Sequence, residues 1–349
     1  MGTAPRPDRH VFRPELVQAN PMNAARATEP LLATPRYRPG PHWVAVLAAV
    51  CTLPLLFVGG SVTSYGVGLA VPDWPTTFGM NMFLYDFWNA PFGVRVEHVH
   101  RLYGAVVGLA TMFLAVSFLA FERRRFMKAL GVAALVAVIV QGVLGGTRVT
   151  QVSTFLAAAH GCLGQAFFGL MVALCVLTGR PWNDSSALRD DPARLRRGSA
   201  AMLAMIYAQI VVGAWFRHYR TMPALWAHGL FAIVVLGSAL ALSVAVVRAG
   251  PSARPLRPSA LALGGLASAQ VVLGIAALLF LLPFGGNPRA PTLWQAMIRT
   301  AHQTNGALLL GSSVVLTLRA FRLLSASTTT VPAPRLEPQS APRAVEAVA

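Results

Sequence analysis

The sequence predicts an all-α integral membrane protein whose eight transmembrane helices form two pseudo-twofold related four-helix bundles, both termini cytoplasmic. Three observations predict it. The 349 residues are 55% hydrophobic with a mean hydropathy of +0.57, too apolar for an ordinary soluble chain. Eight stretches approach the ~20 residues that a helix needs to cross a bilayer. One frame, a helix with Q/L-x-x-x-G and then a helix opening with histidine, occurs four times.

The elements follow in order. Residues 1–42 are polar and rich in Pro and Arg, which predicts a disordered cytoplasmic tail without the apolar core of a signal peptide. A first span over about 43–63 carries Leu56-FVG-Gly60, where later hairpins have a glutamine frame. An aromatic, Pro-rich external loop from Val71 to Asn89 follows, with Asp73, Trp74 and Trp88, either a lid over a pocket or a loop resting on headgroups. The second span, 97–119, opens with Glu97, His98, His100 and Arg101; the third, 128–148, carries Gln141-GVL-Gly145 and ends at Arg148. The fourth, 156–178, opens on His160, 19 residues after Gln141.

A charged linker over 181–197 then starts a second set. Span five, 199–217, carries Gln209-IVV-Gly213 and ends at Arg217; span six, 225–247, opens on His228, again 19 residues after its glutamine. Span seven, 259–282, carries Gln270-VVL-Gly274; after a longer loop around Pro283 to Pro291, span eight, 299–320, opens on Arg299 and His302. The polar starts of spans two, four and eight make their outer ends the hardest to place. A disordered tail is predicted for 325–349. The halves are therefore 43–180 and 198–324, and an even number of spans in each predicts parallel repeats about an axis along the membrane normal.

The net charge of +17 is a topological signal. Of 29 Lys and Arg, 22 fall in the tails and the even-to-odd loops, and seven on the other face, the positive-inside distribution of a cytoplasmic-membrane protein with inner termini. That distribution removes the need for a nucleic-acid partner; the partner implied is the lipid bilayer. Cys51, Cys162 and Cys175 all lie in apolar runs, so no external disulfide framework is readable.

Ionisable groups in membrane spans are rare and usually functional. His100, His160, His228 and His302 all sit near the outer start of an inward-running helix, which predicts one common depth and two facing pairs, His100 with His160 and His228 with His302. Zinc or non-haem iron wants a third protein ligand, and the second half has no acidic residue near its pair. Two imidazoles and an apolar cavity suit haem. Arg101, Arg148, Arg217 and Arg299 lie at the histidine level as partners for haem propionates, or as snorkelling interface residues. Glu97 precedes His100 by three, about 60° around a helix, so the two share a face. Arg299 and Leu225 hold the matching positions before His302 and His228. A carboxylate at one pocket only separates a reactive site from an electron-transfer site, unless Glu97 merely caps the helix or pairs with Arg101. His98 points about 160° from His100 and is read as interfacial or supporting. Gln141, Gln209 and Gln270 either bond imidazole or propionate, or join helices.

These motifs in this order resemble the haem A synthase family: Glu97-x-x-His100-Arg101, the Pro72-Asp73-Trp74-Pro75 loop, Gln141-GVLG with Ala-Ala-His160, Gln209-IVVG with Trp-Ala-His228, and Gln270-VVLG with Thr-Ala-His302-QTNG. The resemblance covers nearly all of the membrane part. It implies that the chain oxidises the C8 methyl of haem O to a formyl group for terminal oxidases. It further implies that His228 and His302 bind a resident haem b as cofactor, that His100 and His160 hold the substrate haem, and that Glu97 is catalytic beside the reacting methyl. A haem O synthase and an electron-transfer partner are the protein partners it suggests. Many relatives carry cysteine pairs in external loops and this chain has none there, which departs from the family pattern. A diheme b-type cytochrome passing electrons from quinol is the competing reading, and a haem transporter the third.

Overall fold

Helices begin before the hydropathy does. The computed structural model describes Gly2 and residues 37–183, 193–280 and 290–324. It contains eight helices long and apolar enough to cross a membrane: α1 Pro39–Tyr65, α2 Phe92–Phe121, α3 Arg125–Thr150, α4 Thr154–Thr178, α5 Ala193–Tyr219, α6 Met222–Arg248, α7 Arg257–Leu279 and α8 Leu293–Leu323. Arg180–Asn183 forms one short turn after α4, and Pro251–Leu256 is a 3-10 segment before α7. No strand occurs among the described residues beyond an isolated bridge between Thr77 and Met80.

Six helices extend past both ends of the expected spans, and α4 past its start only. Spans two and eight, expected from 97 and 299, begin at Phe92 and Leu293. The reason is physical: hydropathy marks the hydrocarbon core, whereas a helix continues until its terminal N–H groups find other partners. At α8 that partner was legible. The Thr292 hydroxyl accepts from the Gln295 amide, and the Gln295 side chain accepts from the Thr292 amide, a complete capping box. Ser153 and Thr221 cap α4 and α6 through their side chains. Span seven stops at Leu279, short of the expected 282.

The predicted linker over 181–197 is partly helical, since α5 already starts at Ala193; residues 184–192 lie outside the described residues. The predicted tails fall almost wholly outside them too. Helix α1 begins at Pro39, before the tail boundary expected at 42, because Pro at N1 is already set for a helix.

Packing follows the hairpin order. Helix α1 packs on α2, α2 on α3, α3 on α4, and α4 back on α1; α5, α6, α7 and α8 close a second ring in the same way. Each ring has its own apolar core, one around Leu114, Phe118, Met127, Met171 and Leu174, the other around Met202, Ile206, Leu256, Leu263 and Leu316. Between the rings, α8 touches α1 and α4, and α4 touches α5. Helix α8 is the most buried of the eight. On the side where α2 ends and α3 begins, Glu122 pairs with Arg124 at 2.7 Å. Burial opposes charge on Glu122, but its bonds from Arg124 and Arg123 outweigh that and lower its pKa.

Candidate functional site

Each histidine rests on a glycine of the preceding helix. A Cβ added to Gly59, Gly145, Gly213 or Gly274 would lie 2.9, 3.1, 2.8 or 3.0 Å from Cε1 of His100, His160, His228 or His302 respectively. A Cβ fits in none of these gaps unless the imidazole gives way, so the four glycines act as seats that set how deeply each imidazole enters its ring. Three are the glycines of the Q-x-x-x-G frame. In the first hairpin the expected frame, Leu56-FVG-Gly60, is off by one residue. The seat is Gly59, which puts Leu55 in the glutamine's place, while Gly60 faces Gln303 and Thr300 of α8. Consecutive glycines hide the register, and one residue is about 100° around a helix.

The seats bring the imidazoles together as two pairs. The ring centroids of His100 and His160 lie 6.3 Å apart with planes at 83°; those of His228 and His302 lie 6.2 Å apart at 88°. A metal about 2 Å from one nitrogen of each ring fits midway across such a gap. Among the described residues, no three His, Cys, Asp or Glu side chains converge to hold a metal, so each centre offers two imidazoles only. The donor set fits the axial positions of a haem.

What surrounds the pairs differs. At the second, Gln209 Nε2 lies 3.1 Å from His228 Nδ1 and donates to the His228 carbonyl at 2.8 Å. His302 Nδ1 lies 3.2 Å from the Gln270 carbonyl oxygen, and the Gln270 amide is held by Asn305 Nδ2 donating to its Oε1 at 2.7 Å. At the first pair, among the described residues, His100 Nδ1 is buried with no hydrogen-bond partner and Gln141 makes no side-chain hydrogen bond; His160 lies against the Gln141 backbone but has no glutamine amide on its ring. The role of Asn305 was not anticipated, although its spacing of three from His302 puts both on one helix face.

The first pair has a loop instead. Glu97 is 1% exposed; its Oε1 pairs with Arg101 at 3.1 Å and its Oε2 accepts from the Val71 amide at 3.0 Å. Arg101 Nη1 donates to the carbonyls of Asp73 and Thr76, and Nη2 to that of Val71 at 2.8 Å. Expected as a propionate partner, Arg101 thus directs both terminal nitrogens to the loop. His98 is fully buried against the loop: its Nδ1 lies 3.3 Å from Thr77 Oγ1, and its ring stacks on Phe87. Trp74 packs directly over Gly146 of α3, beside the seat Gly145. The loop is therefore fastened to the helices of the first pair, while Leu84 and Trp88 stay exposed at 78% and 74%.

Asp73 organises the turn. Desolvation is the largest single influence and disfavours its charge, but hydrogen bonds from the Gly79 amide, the Thr76 hydroxyl and the Phe78 amide together outweigh it and bring its pKa down to about 2.

The remaining arginines sit around both pairs. Arg148 lies within electrostatic reach of His100, His160 and Glu97, and its Nη2 donates to the Gly68 carbonyl at 2.9 Å. Arg217 lies within reach of His302, Arg299 and Arg220, and its Nη2 donates across the rings to the Gly60 carbonyl and Ser64 Oγ. Arg299 Nε donates to the Gln295 carbonyl. Arg217 and Arg299 have no carboxylate partner among the described residues.

A family model described as cytochrome oxidase assembly protein, COX15-CtaA, matches residues 42–227. The match spans α1 to α5, with the first pair inside it, and ends one residue before His228. A protein of Sphingopyxis alaskensis named heme A synthase is 34% identical over 136 residues, which is 34% of this chain and 35% of that one. One of a Methylobacterium species with the same name is 24% identical over 360 residues, 84% of this chain and 95% of its own length. A third, from Parvibaculum lavamentivorans, is 27% identical over 215 residues, 51% of this chain and 60% of that one. The chain thus spans about a third of the first relative, nearly all of the second and three fifths of the third.

Proposed function

The chain belongs to the COX15-CtaA family of cytochrome oxidase assembly proteins, and from that premise we propose that it is a haem A synthase, a multi-pass enzyme of the cell inner membrane. It oxidises the C8 methyl of haem O to a formyl group by successive hydroxylation, with water lost from the geminal diol. One observation carries the reading: two imidazole pairs of equal spacing and angle, only one of which has a carboxylate on its helix.

His228 and His302 hold the resident haem b, and His100 and His160 hold the substrate. The resident haem supplies one-electron transfer when bound. Gln209 and the Gln270–Asn305 couple fix the orientation of their imidazoles, which suits a permanent occupant. The first pair has no side-chain amide on its imidazoles, only the Gln141 backbone beside His160, and suits a molecule that enters and leaves. Arg148, Arg217 and Arg299 meet the propionates.

Glu97 acts on the methyl carbon by charge. A carboxylate can accept a proton or stabilise positive charge developing at the reacting carbon. Glu97 is already bonded to a guanidinium and a backbone amide, so it is a fixed charge more than a free base. Arg101 and the loop keep it in place and exclude water from that side.

The two rings are pseudo-twofold related halves inserted in the same sense, with the termini on the cytoplasmic side. The distribution of Lys and Arg supports that orientation.

The test is extraction and chromatography of haems from cells that make haem O, with and without this protein, under oxygen and reductant. Haem A or its hydroxylated precursor is expected. Unchanged haem O, from cells whose purified protein carries haem b, overturns the assignment in favour of an electron-transfer cytochrome.

A further inference from the structure

Haem O differs from haem b by a hydroxyethylfarnesyl chain: a long apolar tail with one hydroxyl next to the ring. A site that selects haem O needs a place for both parts. An apolar groove of about 230 Å³ runs between α3 and α4, lined by Ala137 and Val140 on one helix and Leu163, Ala166 and Phe167 on the other. It starts about one helical turn past His160 and continues for a second turn toward the opposite membrane face. Val140 and Leu163 are 45% and 42% exposed, so the groove opens sideways to lipid. Its one strongly polar lining residue is Gln141.

Gln141 is unlike its counterparts. Gln209 and Gln270 are tied through their amides to the histidine of their own hairpin. Gln209 Oε1 also lacks a partner, but two bonds from Nε2 fix that side chain. Among the described residues Gln141 makes no side-chain hydrogen bond, and its Oε1 is buried and unpartnered. Burying an amide oxygen without a donor costs roughly 1–3 kcal/mol on the scale of protein substitutions, which a ligand hydroxyl would offset.

We infer that this groove receives the hydroxyethylfarnesyl chain of the substrate, whose hydroxyl donates to Gln141 Oε1 while the tail lies along Ala137, Leu163, Ala166 and Phe167 and out into the bilayer. The inference rests on the reading of the first pair as the substrate site. It gives the first ring a means of preferring haem O over haem b that the axial ligands, identical in the two rings, do not provide.

The experiment offers purified full-length protein equal amounts of haem O and haem b, and quantifies each retained haem after extraction. Gln141→Leu and Ala166→Phe are expected to lower haem O retention about five- to tenfold, near the worth of one hydrogen bond or one blocked apolar subsite, with haem b retention unchanged. Haem b held by His228 and His302 reports that each variant is folded; Ala137→Leu replaces Ala166→Phe if the larger ring prevents folding. Ala158→Leu, which narrows the separate apolar groove between α4 and α5, is the control. Equal loss of both haems, no loss, or a selective loss only in Ala158→Leu overturns the groove. Retention of haem O that ignores His100→Ala removes the substrate-site reading, and the groove with it. Retention that needs His100 but ignores the groove variants removes the groove alone.

Discussion

The two rings seat their histidines alike and surround them differently. In both, a glycine of one helix receives the imidazole of the next, and the pairs match to 0.1 Å in spacing and 5° in angle. Around the second pair, amides hold the rings and no carboxylate is near. Around the first, no side-chain amide holds the imidazoles, and an ion pair and an aromatic loop crowd the helix of His100 instead. Holding a metal needs only what the rings share. On the proposed function, acting on a bound haem needs what they do not share.

The sharpest way to break this comparison is to remove one histidine from each ring. His228→Ala is expected to lose most of the bound haem b, and His100→Ala to keep it while conversion of haem O falls below detection. Both are read from haem content and extracted products, and an equal loss of haem b in the two variants defeats the division of labour. Next comes Glu97→Gln, which keeps an acceptor for the Val71 amide but ends the ion pair. Conversion should fall ~10²–10⁴-fold with haem b content intact, the range of a removed charge-stabilising group. Full activity would reduce Glu97 to a loop anchor.

The seats offer a finer test. Gly213→Ala should displace His228 and weaken haem b binding by an amount comparable with overpacking a core, roughly 1–3 kcal/mol, visible as a shifted absorbance spectrum. Gly59→Ala should leave that spectrum untouched and impair conversion. Gly60→Ala pushes on the flexible end of Gln303 and should do less than Gly59→Ala. The reverse order would restore the frame at Gly60.

The smallest expected effect belongs to the loop. The Asp73 carboxylate has its pKa depressed from 3.8 to about 2, so its hold on the turn is fully present above pH ~4 and is lost as pH falls through about 2. Hydrogen exchange at the Phe78 and Gly79 amides, referred to the Thr77 amide that bonds the Met80 carbonyl, should quicken over that window. Asp73→Ala should show the same exchange at neutral pH; protection that survives the substitution contradicts the anchor.

Much of this was legible in the sequence. Eight apolar runs gave eight helices because bilayer thickness sets span length, and the recurring histidines gave the pairs because repeated hairpins repeat their faces. The helix starts were less legible, since polar residues at an interface remain helical when capped. The target of Arg101 was illegible: its helix position is fixed by spacing, but its partners are carbonyls of a loop whose path no periodicity encodes. The seat in α1 failed for a narrower reason, two adjacent glycines where one was needed.

One last feature bears on how the chain is made. Ser64 Oγ accepts from Arg217 and from Thr300 Oγ1, and the Gly60 carbonyl accepts from Arg217. Thr300 is on α8 and Arg217 on α5, both synthesised well after α1. Until they emerge from the ribosome, the Gly60 carbonyl and the Ser64 hydroxyl lack these partners. Polar groups without partners in hydrocarbon are costly, so the first half gains these bonds only as the second half packs against it. Arg217 arrives first, with α5; a chain stopped before Thr300 lacks only the bond from Thr300 to Ser64.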